Sequence, residues 1–214
     1  MSSRDSILGD IRQALGRGAL DEATRRRLDE RSAEPPRHVR PPVDDADRVA
    51  RFIERFESRA GTTARLTSLA QVPGAVAVLA EKLGLPHTAV VGRALGELNW
   101  PEGWQIDHGA ATSDATLGVS LAWRGVAETG AVMMCSGPDS PITHNFVPEN
   151  HVVVVPVERI VRHYEDCWAD LRSAGQGAPR AMNFISGPSR TADVEQTVEL
   201  GAHGPRRMHV LIVG

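Results

Sequence analysis

The unbroken run His151-Val152-Val153-Val154-Val155 limits the possible folds of this chain more than any other stretch. Consecutive β-branched residues favour extended backbone, where their stiff side chains pack well on a pleated surface. No polar residue alternates with the valines, so neither face of this strand can meet water. A strand covered on both faces belongs inside a parallel sheet with other layers packed on each side.

The neighbouring segments suit the same layered arrangement. Val49, Phe52, Ile53 and Phe56 fall at i, i+3, i+4 and i+7, the spacing of a helix with one buried face. Thr62–Leu66 reads as a strand. Pro73 suits a first helical turn, Val76, Leu79, Ala80 and Leu83 form the apolar stripe, and Gly84 ends that helix. Thr88–Val91 predicts a short buried strand closed by Gly92, and Trp100–His108 a loop with a short strand. Further strands are expected over Val119–Trp123, Ala131–Cys135, Ala181–Ile185 and Met208–Val213. Ile160, Val161, Tyr164, Trp168 and Leu171 predict another amphipathic helix. Strands alternating with helices place the chain in the α/β class, with a mostly parallel sheet flanked by helices.

Residues 1–43 differ from the domain expected over 44–214. Ser2 or Ser3 can cap a short helix whose stripe is Ile7, Ile11 and Leu15, ended by Gly16 and Gly18. Asp21–Arg31 is helix-prone but charged nearly all round. The stretch from Glu34-Pro35-Pro36 to Arg40-Pro41-Pro42 predicts a stiff linker. This N-terminal helical arm either folds back on its own domain or docks on another subunit.

Composition narrows the function. With 214 residues, 41% hydrophobic and a net charge of -3, the chain can bury a core and has no basic excess to draw nucleic acid or anionic membranes. The N-terminus lacks a signal-peptide core and no apolar run is long enough to span a membrane, so a cytoplasmic location is expected. Cys135 and Cys167 lack a metal or redox spacing, and two cysteines cannot supply the four thiolates usual for an iron–sulfur cluster. His144 and His151 do not form a recognised metal-pair motif, so no metal site and no cofactor are expected on this chain.

Four segments carry candidate chemistry. In the first, an apolar run ends at Ile185 in Ser186-Gly187-Pro188-Ser189-Arg190-Thr191, where a helix is expected to begin. Strand, glycine turn and helix start would gather free backbone N–H groups beside Arg190, an arrangement that favours phosphate or carboxylate. The hydroxyls of Ser189 and Thr191 would add donors. The same residues also suit a plain helix cap by Thr191 or Asp193, with Asp193-x-x-Gln196 as a rough capping box. In open α/β sheets ligands sit beyond the carboxyl ends of strands, and this loop leaves such an end.

His203-Gly204-Pro205-Arg206-Arg207 is the second segment. Its histidine and arginines complete an anion pocket or are solvated charges before the last strand. The third, Gly125–Gly130, carries Glu128 and Thr129 between two glycines: a general base or nucleophile, or a solvated hairpin turn. The fourth is the polar loop Pro138–His151, with Asn150 at its end, which lines a ligand or merely connects strands.

These segments, in this order, resemble the LUD-domain family (the lactate utilisation protein C, or YkgG, group). The resemblance rests on Ser3–Leu8, Gly125–Gly130, Pro148–Val152, Ile185–Glu195 and Gly201–Pro205. It implies the fold shared by ribose-phosphate isomerases, glucosamine-phosphate deaminases and CoA transferases. It also implies a role in oxidising L-lactate to pyruvate together with iron–sulfur partner proteins that would carry the clusters. On this reading Glu128 would be the catalytic residue. Thr129, Gly130, Asn150, Ser186, Gly187, Ser189, Arg190, Thr191, His203, Gly204 and Arg206 would bind a small anionic ligand. A stand-alone enzyme resembling CoA transferases or isomerases and using Glu128, or a regulatory ligand-binding module, are the alternatives.

Overall fold

The computed structural model describes residues 2–16, 18–34, 39–175, 177–192 and 198–214. Met1–Arg40 and Pro41–Gly214 form two separate compact units. The first holds two helices, α1 (Ser3–Ala14) and α2 (Glu22–Ala33). Ser2 caps α1 reciprocally with Asp5: the Asp5 N–H reaches Ser2 Oγ at 3.3 Å and the Ser2 N–H reaches Asp5 Oδ2 at 3.2 Å. Asp21 caps α2 through the Thr24 N–H at 2.8 Å. Neither helix buries a residue, and Ile7, Ile11 and Leu15 stay about half exposed.

The second unit begins with α3 (Arg48–Glu57), β1 (Thr62–Leu66), α4 (Val72–Leu83), β2 (Thr88–Val91), β3 (Gln105–Asp107) and β4 (Leu117–Leu121). It continues with β5 (Arg124–Val126), β6 (Ala131–Cys135), β7 (Asn150–Pro156), β8 (Ile160–Val161), α5 (Tyr164–Ser173), β9 (Met182–Ile185), β10 (Arg190–Ala192), β11 (Val198–Leu200) and β12 (Arg207–Val213).

β7 lies inside a six-stranded, wholly parallel sheet of order β1-β12-β7-β4-β2-β3. Every residue of β7 is buried. Its valines divide between two cores, as alternate side chains of a strand must. Val153 and Val155 pack with Phe52 and Phe56 of α3, whereas Val152 and Val154 pack with Val72, Val76 and Ala80 of α4. Gly84, in the left-handed region at φ 65°, ends α4.

A second, four-stranded sheet of order β8-β5-β6-β9 covers part of the α3 face, with Val132 and Met134 joining that core. On its other side Cys167 of α5 packs against Val126, Ala131 and Met133.

Three local expectations change. Ile160 and Val161 do not open a helix. They pair in parallel with Gly125 and Val126, and α5 starts only at Tyr164. The strand expected to Trp123 ends at Leu121, and the chain re-enters extended structure at Arg124 in the other sheet. Arg190–Ala192 is a strand rather than the first turn of a helix, paired antiparallel with Val198–Leu200. Each change has the same cause: a long-range ladder outcompetes a weak local preference. Asp193, Glu195 and Gln196 lie outside the described residues. Among the described residues no helix is long and apolar enough to cross a membrane.

Candidate functional site

The expected site residues are divided between two places. The first is the turn joining β5 to β6. There Glu128 Oε2 lies 3.1 Å from His163 Nδ1, with the His163 side chain 8% exposed and the Glu128 side chain 21%. An ionised carboxylate only accepts, so it takes this hydrogen bond from the tautomer that carries its proton on Nδ1. Beside this pair, Thr129 Oγ1 and Tyr164 Oη share a 2.7 Å hydrogen bond, and Ser186 Oγ donates to the Thr129 carbonyl at 3.2 Å. The hairpin turn and the loop after β9 are therefore joined.

The glycines of this region explain how it closes. Gly130 has φ 72°, and a Cβ on it would sit 2.3 Å from the Phe56 backbone nitrogen. Gly187 has φ 86°, and a Cβ there would sit 2.5 Å from the Arg59 carbonyl oxygen. Both let the backbone lie against the end of α3. The strand–turn–helix anion cradle expected at Ser186–Thr191 is not formed. Pro188 has no N–H, the Ser189 N–H donates to the Pro205 carbonyl at 2.9 Å, and Arg190 and Thr191 enter β10. Arg190 is exposed on that strand.

The second place is the amino end of the main sheet. The Glu149 carbonyl accepts both the Arg206 and Arg207 backbone N–H groups, at 2.8 and 3.2 Å. Its carboxylate lies 3.3 Å from Arg206 Nη1 and 3.5 Å from Arg207 Nη1. Arg207 Nη1 also donates to Oδ1 of the buried Asn150 at 3.2 Å, and Asn150 Nδ2 donates to the Thr116 carbonyl at 2.9 Å. Gly201, at φ 90°, leaves the space that the Arg206 stem occupies.

Arg206, Arg207, Asn150, Lys82, Thr62 and His209 line a cavity of about 340 Å³. Burial, and then Lys82, hold the His209 imidazole below its ordinary pKa. Its Nδ1 shares a 2.7 Å hydrogen bond with Thr62 Oγ1. His203 is exposed and touches this region through its backbone, its N–H reaching Ser189 Oγ at 3.3 Å. Gly204 is sterically unremarkable, since an added Cβ would make only ordinary contacts.

The loop ending at Asn150 is largely structural. His144 Nε2 bonds the Gly109 carbonyl at 2.7 Å, and His151 Nε2 bonds Ser120 Oγ at 3.1 Å. Both rings are buried, and burial pushes His151 down to about 3. Among the described residues no group of three or more His, Cys, Asp or Glu side chains is placed to hold a metal.

Sequence reasoning missed His163, Tyr164 and Lys82. His163 and Glu128 are 35 positions apart, and no local pattern links them. Lys82 gave no sign beyond its place near the end of a helix. The expectation that the Ser186 loop leaves a carboxyl end of the main sheet also changes. That loop follows β9 of the smaller sheet, and Asn150 and Arg207 begin β7 and β12 at the amino end.

Comparison with known proteins adds identity to this geometry. A family model described as the LUD domain matches residues 105–213, just over half of the chain. YkgG of Escherichia coli K12, an uncharacterized protein by name, is 27% identical with 100% of this chain and 99% of that protein covered. Lactate utilization protein C of Geobacillus kaustophilus is 31% identical over 123 residues, 56% of this chain and 48% of that protein. Its counterpart in Halalkalibacterium halodurans is 30% identical over 102 residues, 46% and 44% respectively. The stretches matched to these two thus span less than half of their lengths. A crystal structure of a DUF162 family protein from Deinococcus radiodurans superposes with a TM-score of 0.62 at 21% identity, covering 81% of this chain and 100% of that one. That likeness supports the fold.

Proposed function

The chain belongs to the LUD-domain family, and from that premise we propose that it serves lactate utilisation by holding a small anionic ligand. The observation that carries the ligand reading is the convergence of Lys82, Arg206 and Arg207 with buried Asn150 on one cavity. Glu149 offsets part of that charge, and the sum stays positive. The ligand's anionic group would take over the guanidinium protons that now face Glu149, while Asn150 keeps Arg207 oriented. With only two cysteines on this chain, iron–sulfur partner proteins would carry the electrons.

Differential scanning fluorimetry with L-lactate, pyruvate and inorganic phosphate tests the ligand. A saturable rise in Tm that Arg206→Ala and Arg207→Ala each weaken supports the reading. No rise with any of the three removes it. Anaerobic co-purification with cysteine-rich redox proteins tests the partner, and failure to recover any would undo that part.

A second reading has its own support. Glu128, held by His163 and flanked by the Thr129–Tyr164 bond, is placed like a general base whose orientation is fixed by a second group. It predicts turnover by the isolated chain that Glu128→Gln abolishes.

A further inference from the structure

The parallel sheet contains a crevice that neither cluster uses. β2 is flanked by β3 on one side and β4 on the other. The chain leaves β2 toward β3, and leaves β4 in the opposite direction, through the smaller sheet toward β7. Connections that diverge from neighbouring carboxyl ends leave a gap between them, and open α/β sheets bind ligands in such gaps.

Here the gap is a cavity of about 260 Å³. Gly92 follows β2, Leu121, Ala122 and Trp123 close β4, and Arg159 follows β7. The loop after β6 forms the remaining wall. It is fixed there because the Arg93 N–H donates to the Asp139 carbonyl at 3.0 Å, and Gly92 allows a close approach to that oxygen.

The charge in this cavity is specific. Arg159 donates through Nη1 to the Ala122 carbonyl at 2.8 Å, and among the described residues no carboxylate pairs with it. Arg124, nearby, is already paired with Asp170 at 2.6 Å. Burial, and then Arg124, lower the pKa of Arg159, and the neighbouring Glu158 carboxylate offsets part of that. Asp139 is the one acid in the lining, and Ala94, Leu121, Ala122 and Trp123 give it an apolar side. A single guanidinium with no carboxylate among the described residues at ion-pair distance favours one negative charge on the ligand over two. The apolar wall favours a carbon skeleton, and the volume lies just below the usual range of about 300–1,000 Å³ for ligand pockets, so the skeleton is short.

We propose that the crevice between the carboxyl ends of β2 and β4 binds a short-chain organic monocarboxylate, with Arg159 as its anchor. This site is separate from the Arg206–Arg207 cavity and stands without it.

The indole N–H signals of the four tryptophans are a local reporter, since Trp123 alone among them lines this crevice. Trp123→Phe assigns its signal in a two-dimensional nitrogen–proton spectrum. Titration with acetate, propionate, L-lactate and pyruvate should move that signal saturably with at least one of them. Arg159→Gln, which keeps a donor for the Ala122 carbonyl, should abolish the shift with the fold intact, and Arg206→Ala should leave it unchanged. The proposal is overturned by a Trp123 signal that no carboxylate moves. It also fails if Arg159→Gln responds like the native protein, or if inorganic phosphate moves the signal as well as the carboxylates do.

Discussion

Glu128 Oε2 and His163 Nδ1 meet at 3.1 Å, bringing together the tip of the β5–β6 hairpin and the residue that precedes α5. The imidazole is nearly buried and the carboxylate is one-fifth exposed, so the pair is only partly screened by solvent. A double-mutant cycle of Glu128→Gln and His163→Ala should give a coupling of about 0.5–1.5 kcal/mol in urea unfolding. A coupling indistinguishable from zero would mean that the contact contributes nothing to the fold.

Gly130→Ala and Gly187→Ala should each destabilise the protein by more than about 2 kcal/mol. Left-handed backbone costs an L-residue about 1–2 kcal/mol, and the new Cβ would in addition collide with the backbone at the end of α3. Gly204→Ala should change stability by less than about 0.5 kcal/mol, because its Cβ would meet nothing closer than 3.5 Å. Thermal unfolding of the three variants checks the contrast, and equal losses at all three positions would contradict it.

His151 should make the protein acid-sensitive. Its folded pKa, about 3, lies below its ordinary value of 6.5, so the folded state favours the neutral ring. Its contribution is whole above pH 6.5 and declines as pH falls toward 3, because the unfolded chain takes up the proton first. The slope approaches about 1.4 kcal/mol per pH unit for one proton. Burial of His209 acts with the same sign. Urea titrations across this window should show a shallower decline in His151→Gln, whereas an unchanged slope would assign the effect elsewhere.

The two thiols should differ in reactivity. Cys135 is half-buried at the edge of the crevice, whereas Cys167 lies fully inside the α5 core with its thiol pushed up to about 12. Native protein treated with N-ethylmaleimide should therefore carry one adduct at Cys135, and urea-unfolded protein two. Mass spectrometry reads the outcome directly, and a Cys167 adduct on the native protein would contradict the packing around α5.

Much of the architecture is legible along the chain because its signals are local. Ser2 and Asp21 cap helices through neighbours three residues away, Gly84 ends α4 by its own backbone freedom, and the Val152–Val155 run needs two apolar layers wherever it lies. The candidate site is less legible. Thr129 and Ser186 do meet, and Asn150 and Arg206 do share a cavity, yet the motif that contains Ser186 continues as a hairpin strand. Whether Arg190–Ala192 becomes helix or strand depends on Val198–Leu200, which no short window includes.

The sequence by itself determined the α/β class, the doubly covered central strand, the start of α1 and the end of α4, since each follows from side-chain periodicity or a cap within one turn. Only the tertiary structure decided that β5, β6, β8 and β9 leave the main sheet. It also placed His163 against Glu128 and Lys82 beside Arg206, and set Arg159 at a crevice between diverging strands. These relationships join residues tens of positions apart. Strand order and the packing of one layer on another set them, and neither is encoded in any single segment.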